Sequence, residues 1–306
     1  MQPLITALKA GGLQPRLVNL PTLTWNTHVG FGDWGLVVNR IASRPEIGTG
    51  HPAALLRKAQ DLLAAAELAG IPCIHGSQTY AVGTSKALQA ACLSKLGLST
   101  PATRYLLDGE WPATQTDPAA PALDRREWLL KPNAGGFGRG IVSADQADTS
   151  AAFALDGTAV LQQRVHPSEP VVYRAEFVGR QLAYVAASPI DTTETDYCLA
   201  HSDAAVTLSR DLSPAIYNAC MEIFRLIGMQ LGSVEYMIDR DGAPVFIDIN
   251  PVSSPHPGIG DELGIDLWQM HAELISKVWS RRNLKRRPAQ AQPPPHANVV
   301  PIARAD

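Results

Sequence analysis

The stretch from residue 232 to residue 250 constrains the fold of this chain more than any other. Asp241-Gly242 lies between two runs rich in β-branched and aromatic residues, and this dipeptide in such a setting is a strong signal for a two-residue β-hairpin turn. Residues equally far from the turn face each other, so Glu235 is predicted to pair with Asp248. The sequence therefore predicts two antiparallel strands with a locally fixed register.

The two faces of the predicted hairpin differ in polarity, because side chains alternate along a strand. One face is apolar and is expected to lie in the core; it holds Val234, Tyr236, Ile238, Val245, Ile247 and Ile249. The other face holds Glu235, Met237, Asp239, Phe246, Asp248 and Asn250. This second face brings carboxylates and one amide together with two apolar side chains.

The facing carboxylates Glu235 and Asp248 suggest a cation site. Like charges directly opposite each other destabilise a sheet by up to about 1 kcal/mol, and Mg²⁺ offsets such repulsion because it prefers oxygen ligands. Asn250 adds a neutral oxygen on the same face. The alternative is a solvated polar face whose acids are only neighbours. The apolar side chains of Phe246 and Met237 on this face have two possible roles. They could stack against a flat ring such as adenine, or they could form a small hydrophobic core that another lobe covers.

A glycine-rich segment follows a predicted strand at residues 128–131 and precedes a second short strand at 141–142. It contains Gly135, Gly136, Gly138 and Gly140. Its spacing matches neither the Walker A loop nor the dinucleotide-binding fingerprint, both of which lead into a helix. A glycine turn between strands can still offer backbone N–H groups to phosphate, and Lys131 would add a positive charge. The alternative is an ordinary hairpin loop.

Composition argues against several classes of protein. Residues 281–306 hold six Lys and Arg and one acid, whereas residues 1–280 hold 20 basic and 28 acidic side chains, and an acidic body argues against nucleic-acid binding. No apolar run is long enough to span a membrane, and the pattern of a secretory signal is missing. Four cysteines without a Cys-x-x-Cys pair argue against a zinc ribbon or a disulfide framework. We therefore expect a cytoplasmic protein that binds neither nucleic acid nor a membrane.

Short strand-like runs alternate with helical patterns along the chain, which is typical of an α/β protein. The sequence predicts a small α/β domain over residues 1–80, a connecting helix and a first lobe over 81–180, and a second lobe over 181–283. Residues 284–306 are rich in proline and basic side chains. They are predicted to form a disordered tail.

Several segments, taken in order, resemble the ATP-grasp superfamily, in particular its RimK-like and glutathione-synthetase-like carboxylate–amine ligases. The similarity covers roughly residues 80–280. The matching segments are Ser85-Lys86 with Leu96–Thr103, Lys131–Gly140, Leu161–Val165, Glu169, Arg174 before Phe177–Gly179, and the trio Glu235, Asp248 and Asn250. Residues 186–205 depart from the pattern, because they contain neither the Arg nor the Asn that family members often carry there.

The resemblance implies a fold and a set of site residues. The fold is an ATP-grasp fold with two α/β lobes that clasp ATP, preceded by a small Rossmann-like domain. Contacts with ATP are expected from Lys86, Lys131, Gly135, Gly136, Gly138, Gly140, Gln162, Gln163, Arg164, Val165 and Glu169, with Phe246 as a further candidate from the hairpin. Catalytic roles fall to Arg174 and Lys131, and Mg²⁺, with Mn²⁺ as an alternative, would be held by Glu235, Asp248 and Asn250.

The implied activity is ATP-dependent ligation of a carboxylate to an amine through an acylphosphate, with release of ADP and phosphate. The substrates are left open among amino acids, peptides and small acids, and a homodimer is a family-level expectation. Two other interpretations stay open: an ATP-binding regulatory protein with this fold but no ligase activity, and ATP-dependent phosphorylation without ligation. The missing Arg and Asn in residues 186–205 motivate the first of these.

Overall fold

The computed structural model describes residues 2–26, 30–43, 51–110, 124–136, 138–190, 206–285 and 298–303. The helices are α1 (Gln2–Ala10), α2 (Pro52–Leu68), α3 (Ser77–Gly83), α4 (Lys86–Lys95), α5 (Ser150–Phe153), α6 (Pro214–Ile227), α7 (Ile259–Leu263) and α8 (Leu267–Lys285). The strands are β1 (Gln14–Pro15), β2 (Val18–Asn19), β3 (Leu36–Asn39), β4 (Cys73–Ile74), β5 (Thr103–Leu107), β6 (Trp128–Pro132), β7 (Val142–Ser143), β8 (Thr158–Gln163), β9 (Val171–Val178), β10 (Gln181–Pro189), β11 (Thr207–Ser209), β12 (Leu231–Ile238), β13 (Pro244–Asn250) and β14 (Asn298–Ala303). None of the helices in these ranges is long and apolar enough to cross a membrane.

Two central helices begin where the sequence offers a capping side chain. The hydroxyl of Ser85 accepts a hydrogen bond from the backbone N–H of Leu88 at the start of α4, and Ser213 does the same for Ile216 at the start of α6. Such caps satisfy N–H groups that have no partner within the helix. Gly228 then ends α6 with a φ of +72°, a left-handed conformation that glycine adopts readily.

Three sheets organise the chain. The N-terminal sheet is parallel and has the order β1-β14-β3-β4, with β2 also paired to β14. The middle sheet is antiparallel and has the order β5-β8-β6-β7. The C-terminal sheet is antiparallel and has the order β11-β10-β9-β12-β13. The predicted mixture of helices and strands is confirmed, whereas the description of the N-terminal domain as Rossmann-like stays a prediction.

One face of the C-terminal sheet lies in the main hydrophobic core. Phe177 from β9, Val234 and Tyr236 from β12 and Phe246 from β13 pack in one cluster with Ile223 of α6. Burying the apolar stripe of α6 here stabilises both elements, because apolar surface leaves water. Side chains alternate along each strand, so the opposite face of this sheet carries the polar groups.

Helix α8 follows the C-terminal sheet in the sequence and packs against α1, the first helix of the chain. Ala272 and Ile275 from α8 pack in one cluster with Leu4 and Leu8 of α1. Leu231, at the start of β12, belongs to the same cluster. The N-terminal domain therefore packs against one end of the C-terminal sheet, beside its polar face.

The structure changes two of the predicted domain limits. Strand β9 pairs with β10 and β12, so a boundary after residue 180 would divide a hairpin, and the change from the middle sheet to the C-terminal sheet falls between β8 and β9. Residues 298–303, predicted to belong to a disordered tail, form β14 between β1 and β3. Their sequence, Asn-Val-Val-Pro-Ile-Ala, contains several residues that favour strands. The prediction of disorder followed the proline-rich composition of the whole tail and missed this strand.

The hairpin has a three-residue loop instead of the predicted two-residue turn. The backbone N–H of Asp239 donates to the carbonyl of Ala243 at 2.9 Å, and Gly242 has a φ of +81°, as expected for a three-residue loop that closes on a left-handed glycine. A β-bulge after the Glu235–Asp248 pair then shifts the register back by one residue. Glu235 therefore does face Asp248, as predicted. Between the bulge and the loop, each residue of β12 faces a residue of β13 one position earlier than predicted.

Phe246 changes face because of this displacement. It lies opposite Tyr236, is 1% exposed and packs in the main core. The predicted role of Phe246 as a platform for adenine is therefore wrong, because its ring is covered on the side away from the acids. Ile247 instead joins Met237 in a small apolar cluster on the polar face.

Candidate functional site

The polar face of the C-terminal sheet carries two rows of side chains that run across the strands. The first row consists of Arg174, Glu235 and Asp248, from β9, β12 and β13. The second row consists of Glu176, Ser233 and Asn250, from the same three strands. We call these six residues the sheet-face site. Its geometry depends on two strand registers, of which the sequence predicted only the one within the hairpin.

Glu235 and Asp248 form the acidic centre of the sheet-face site. Glu235 is 7% exposed, and its Oε1 accepts a hydrogen bond from Asn250 Nδ2 at 3.0 Å. Burial, together with the negative charge of Asp248, raises the pKa of Glu235 to about 7. Ionising both carboxylates is therefore unfavourable unless positive charge is supplied.

Arg174 lies between two carboxylates and is held there by Ser253. Its Nη1 is 3.7 Å from Glu235 Oε1, and its Nε is 3.7 Å from Glu176 Oε2. Its Nη2 donates to Ser253 Oγ, which in turn donates to Glu176 Oε2 at 2.5 Å. Neither carboxylate is close enough for a bidentate pair. The side chain of Arg174 is 30% exposed, although its Nε is buried.

Two lysines face the acidic centre from the other side. Lys86 Nζ, in the first turn of α4, lies 3.3 Å from Asp248 Oδ1. Lys131 Nζ, on β6, donates to Gln162 Oε1 at 2.7 Å. Burial lowers the pKa of Lys131 to about 8, with the charge of Lys86 as a second cause, while Asp248 and Glu235 act in the opposite direction. The structure thus places both lysines within electrostatic reach of the carboxylates.

Helix α4 joins the middle sheet to the C-terminal sheet at the site. The carbonyl of Asn133, just after β6, accepts from the backbone N–H of Lys86 at 2.9 Å, and its Oδ1 accepts from the N–H of Ala87 at 3.1 Å. Further along α4, the side chain of Gln89 exchanges two hydrogen bonds with the backbone of Ile249 on β13. These bonds fix the start of α4, and with it Lys86, between the two sheets.

The glycine loop, residues 133–141, joins β6 to β7. Gly138 and Gly140 have φ of +67° and +77°, a region that residues with a Cβ rarely adopt. A Cβ on Gly140 would also come within 2.8 Å of the carbonyl oxygen of Ala151. The carbonyl of Gly135 accepts a hydrogen bond from Ser43 Oγ at 2.7 Å. The N-terminal domain therefore holds one end of the loop that follows Lys131.

The hinge segment, residues 164–170, crosses from the middle sheet to the C-terminal sheet. Arg164 Nη2 donates to Ser143 Oγ at 2.9 Å, and the backbone N–H of Ser168 donates to the carbonyl of Ile238 at 2.8 Å.

We use the name apolar patch for Val165, Val172, Ile190, Met237 and Ile247, which form one cluster. Met237 lies two residues beyond Glu235 on the same face of β12, so the apolar patch borders the acidic centre.

The structure brings most of the predicted site residues together. The residues at the sheet face are Lys86, Lys131, Arg174, Glu235, Asp248 and Asn250. Gly135, Gly136, Gly138 and Gly140 lie in the loop after Lys131, and Gln162 holds its amine. Two other predicted residues are not brought to this group: Gln163 is exposed and bonds through its backbone to Ala102, and Glu169 is exposed and bonds through its carbonyl to Val171. Their roles stay predictions.

Glu176 and Ser233 of the sheet-face site, and Ser253 beside it, were missed by sequence reasoning. Glu176 follows Arg174 by two positions in β9, so strand alternation could have placed it on the same face. Ser253 lies in the loop after β13 and is 1% exposed. Nothing in the sequence around Ser253 indicates that its hydroxyl reaches Arg174 and Glu176.

The donor atoms at the acidic centre fit a magnesium ion. Within the described ranges, no three His, Cys, Asp or Glu side chains come together as a metal cluster. A cation here would be held by the carboxylates of Glu235 and Asp248 and by the amide oxygen of Asn250. Such an all-oxygen set with two carboxylates suits Mg²⁺, which takes its remaining ligands from phosphate and water. The raised pKa of Glu235 agrees with this, since a cation would favour the ionised carboxylate.

Comparisons with known proteins identify the fold. No protein-family profile and no curated protein sequence matches the chain. Among solved structures, a RimK-domain ATP-grasp protein from Sphaerobacter thermophilus DSM 20745 matches at 19% identity and a TM-score of 0.61, over 90% of this chain and 94% of that one. The D-cycloserine synthetase DcsG matches at 14% identity and a TM-score of 0.62, over 91% and 94%. The ATP-grasp ligase PsnB, solved with a phosphomimetic variant of its minimal precursor, Mg and ADP, matches at 16% identity and a TM-score of 0.58, over 90% and 94%. The chain has the ATP-grasp fold.

Proposed function

We propose that this chain is an ATP-dependent ligase that joins a carboxylate to an amine. The observation that carries the proposal is the order of chemical groups along one face of the C-terminal sheet. Along the strands, the apolar patch comes first, the row of Arg174, Glu235 and Asp248 comes next with Lys86 and Lys131 beside it, and the second row with Ser253 and Arg40 of the N-terminal domain follows. This is the order in which a purine base, a triphosphate and an acceptor substrate would have to lie.

ATP is proposed to lie with its adenine on the apolar patch and its phosphates between the lysines and the acidic centre. The backbone of residues 162–165 would read the edge of the base, and Glu169 would bind the ribose. The glycine loop would offer backbone N–H groups to the phosphates, because glycine allows their close approach. Mg²⁺, held by Glu235, Asp248 and Asn250, would offset the charge of the phosphate oxygens.

The proposed reaction has two steps. A carboxylate oxygen of the first substrate attacks the γ-phosphorus, the bond from that phosphorus to the bridging oxygen breaks, and ADP leaves an acylphosphate behind. The amine nitrogen then attacks the acyl carbon, phosphate leaves, and the nitrogen loses a proton. Phosphoryl transfer depends mainly on positioning and on neutralising charge, which Lys131, Lys86 and Arg174 supply in this site.

The similar structures support this class of reaction but differ in what they act on. One is named as a D-cycloserine synthetase, and another was solved with a precursor. Amino-acid derivatives and peptides are therefore both within the proposed substrate range. The second candidate function is an ATP-binding regulatory protein without ligase activity. It is motivated by the departure in residues 186–205, of which residues 191–205 lie outside the described part of the chain.

The test is ADP release by the purified chain with ATP, Mg²⁺ and pooled carboxylates and amines. The ligase proposal predicts a pool in which full release requires both a carboxylate and an amine. Lys131→Ala should lower this release by about a hundredfold, whereas Lys95→Ala, at an exposed lysine at the other end of α4, should leave it unchanged.

Two results would favour the other interpretations. Tight ATP binding without stimulated ADP release from any pool would favour the regulatory protein. A phosphorylated product that accumulates and is stable without an amine would indicate phosphorylation without ligation.

A further inference from the structure

A buried arginine of the N-terminal domain reaches the polar face of the C-terminal sheet. Arg40 follows β3 directly and is 6% exposed. Its Nη2 donates to the carbonyl oxygen of Ser253 at 2.6 Å, and its guanidinium lies over the ring of Trp268 on α8, 5.5 Å from the ring centroid. A side chain from the first forty residues therefore ends beside the loop that follows Asn250.

Ser253 is the link between Arg40 and Arg174. Its carbonyl accepts from Arg40, and its hydroxyl accepts from Arg174 and donates to Glu176. Ser253 is 1% exposed and Glu176 is fully buried. The orientation of the Ser253 hydroxyl thus depends on a backbone segment that Arg40 holds from the opposite side.

The guanidinium of Arg174 lies equally far from two carboxylates, so its position is sensitive to its hydrogen bond with Ser253. Arg174 lies 3.7 Å from a carboxylate oxygen of Glu176 on one side and 3.7 Å from one of Glu235 on the other. Without the hydroxyl of Ser253, no hydrogen bond would hold the guanidinium between the two carboxylates, and it would be free to turn toward Glu176 and away from Glu235. It would then leave the acidic centre, where a γ-phosphate would lie.

Burying the guanidinium of Arg40 costs free energy, and packing against Trp268 alone does not explain why an arginine occupies this position. Its Nε and Nη1 have no hydrogen-bond partner within the described residues, and burial lowers its pKa to about 10. A hydrocarbon side chain would fill the same space beside Trp268 without that cost. Among the described residues, the hydrogen bond that this guanidinium makes is the bond to Ser253, and the carboxylate of Glu176 acts against the effect of burial on its pKa.

We infer that Arg40 is a positioning residue that acts through Ser253 to hold Arg174 toward the acidic centre. This inference rests on the proposed function, in which Arg174 helps to neutralise the charge of the transferred phosphate. It means that the N-terminal domain contributes to the phosphate site of the C-terminal sheet, in addition to any contact that it makes with substrates.

The test compares the affinity for a non-hydrolysable ATP analogue with the affinity for ADP, both with Mg²⁺, by calorimetry on the full chain. The wild type is expected to prefer the ATP analogue, because only this ligand carries a γ-phosphate. Arg40→Met should reduce that preference by about tenfold, the usual worth of a lost charge-assisted contact, without changing the affinity for ADP. Arg40→Lys, which keeps one donor, should retain part of the preference.

Two further variants separate positioning from folding. Ser253→Ala keeps the backbone carbonyl that Arg40 binds and removes only the hydroxyl, so it should lose the preference to the same extent as Arg40→Met. In Arg174→Met the preference should already be lost, and adding Arg40→Met should remove nothing more, since both act on one contact. Arg57→Met, whose exposed guanidinium pairs with Asp61 on α2 at 2.9 Å, is the matched control and should bind like the wild type.

The outcomes distinguish the two claims. If Arg174→Met loses the preference while Ser253→Ala and a folded Arg40 variant keep it, the positioning inference is wrong and the proposed function stands. If Arg40→Met is unfolded, Ser253→Ala and Arg40→Lys decide in the same way. If the wild type binds neither nucleotide, the proposed function fails, and the inference fails with it.

Discussion

The sheet-face site and the glycine loop differ in structure, and the proposed function gives them different tasks. In the acidic centre, Glu235 lies on β12, which is paired on both sides, and Asp248 lies on β13, which pairs with β12, so strand pairing fixes the backbone of both carboxylates. The glycine loop joins the ends of two strands and includes two positive-φ glycines. A charged centre for a metal must be preorganised, whereas a cover for phosphates must open and close. The comparison predicts that changes at the sheet face abolish chemistry, and that changes in the loop weaken nucleotide binding.

The largest effect is expected for Asp248→Asn. This change keeps the size of the side chain but removes one of the two carboxylates that would bind Mg²⁺. ADP formation should fall by about a thousandfold or more. The free energy of unfolding without metal should change little, because Glu235 loses a repulsive neighbour while Lys86 loses its ion pair. Steady-state ADP release and urea unfolding measure the two quantities. Near-normal turnover in a folded Asp248→Asn protein would contradict the assignment of the acidic centre.

A somewhat smaller effect is expected for Lys131→Met. The lysine lies between the glycine loop and the acidic centre, and Gln162 holds its amine at 2.7 Å. Losing one positive group near the transferred phosphate should lower the rate by about a hundredfold. The rate of ADP release in single-turnover experiments measures this step, with Lys95→Met as the control. A change in ATP affinity with no change in this rate would place Lys131 outside the reacting centre.

A smaller effect, on binding instead of rate, is expected for Gly140→Ala. The new Cβ would meet the carbonyl of Ala151 at 2.8 Å and the side chain of Pro132 at 2.9 Å, and the left-handed backbone adds about 1–2 kcal/mol. The KM for ATP should rise by about tenfold, with little change in kcat. Gly157→Ala is the matched control, because Gly157 has a φ of +75° but no atom within 4 Å of the added Cβ. Equal effects of the two changes would remove the loop from the nucleotide site.

The last expected effect is on stability instead of activity, and it is a pH dependence in the absence of metal. Burial and Asp248 raise the pKa of Glu235 in the folded protein to about 7, so the unfolded chain releases this proton at a lower pH than the folded one. The stability due to this group is complete below the ordinary carboxyl pKa and is lost as the pH rises through about 7. Urea unfolding in EDTA should therefore show wild type losing stability relative to Glu235→Gln between about pH 5 and pH 8. A constant difference over this range would mean that Glu235 titrates normally.

The sequence predicted what local patterns determine and missed what distant strands determine. The pairing of Glu235 with Asp248 follows from one turn, and it is confirmed even though the loop has three residues, because the bulge restores the register. The same bulge made the prediction for Phe246 wrong, since no local signal marks it. The pairing of Arg174 with Glu235 joins strands that are separated by β10, β11 and α6, and the link from Arg40 to Ser253 spans two sheets. Such contacts arise only when the sheets assemble.

The terminal segments show the same limit for the fold. Composition around residues 284–306 predicted disorder, yet β14 lies between β1 and β3. The short strands β1 and β2 have too few residues to show an alternating pattern. The N-terminal sheet assembles when β14, from the other end of the chain, pairs with β1, β2 and β3. No local periodicity in the sequence indicates this long-range pairing.

The most direct test of the account is a crystal structure of the chain with a non-hydrolysable ATP analogue and Mg²⁺. We predict that the metal lies between Glu235 and Asp248 and contacts the phosphates, that Lys86 and Lys131 flank the triphosphate, and that the base lies on Val165 and Met237. A nucleotide bound away from the polar face of the C-terminal sheet, or a metal held by other residues, would contradict the account.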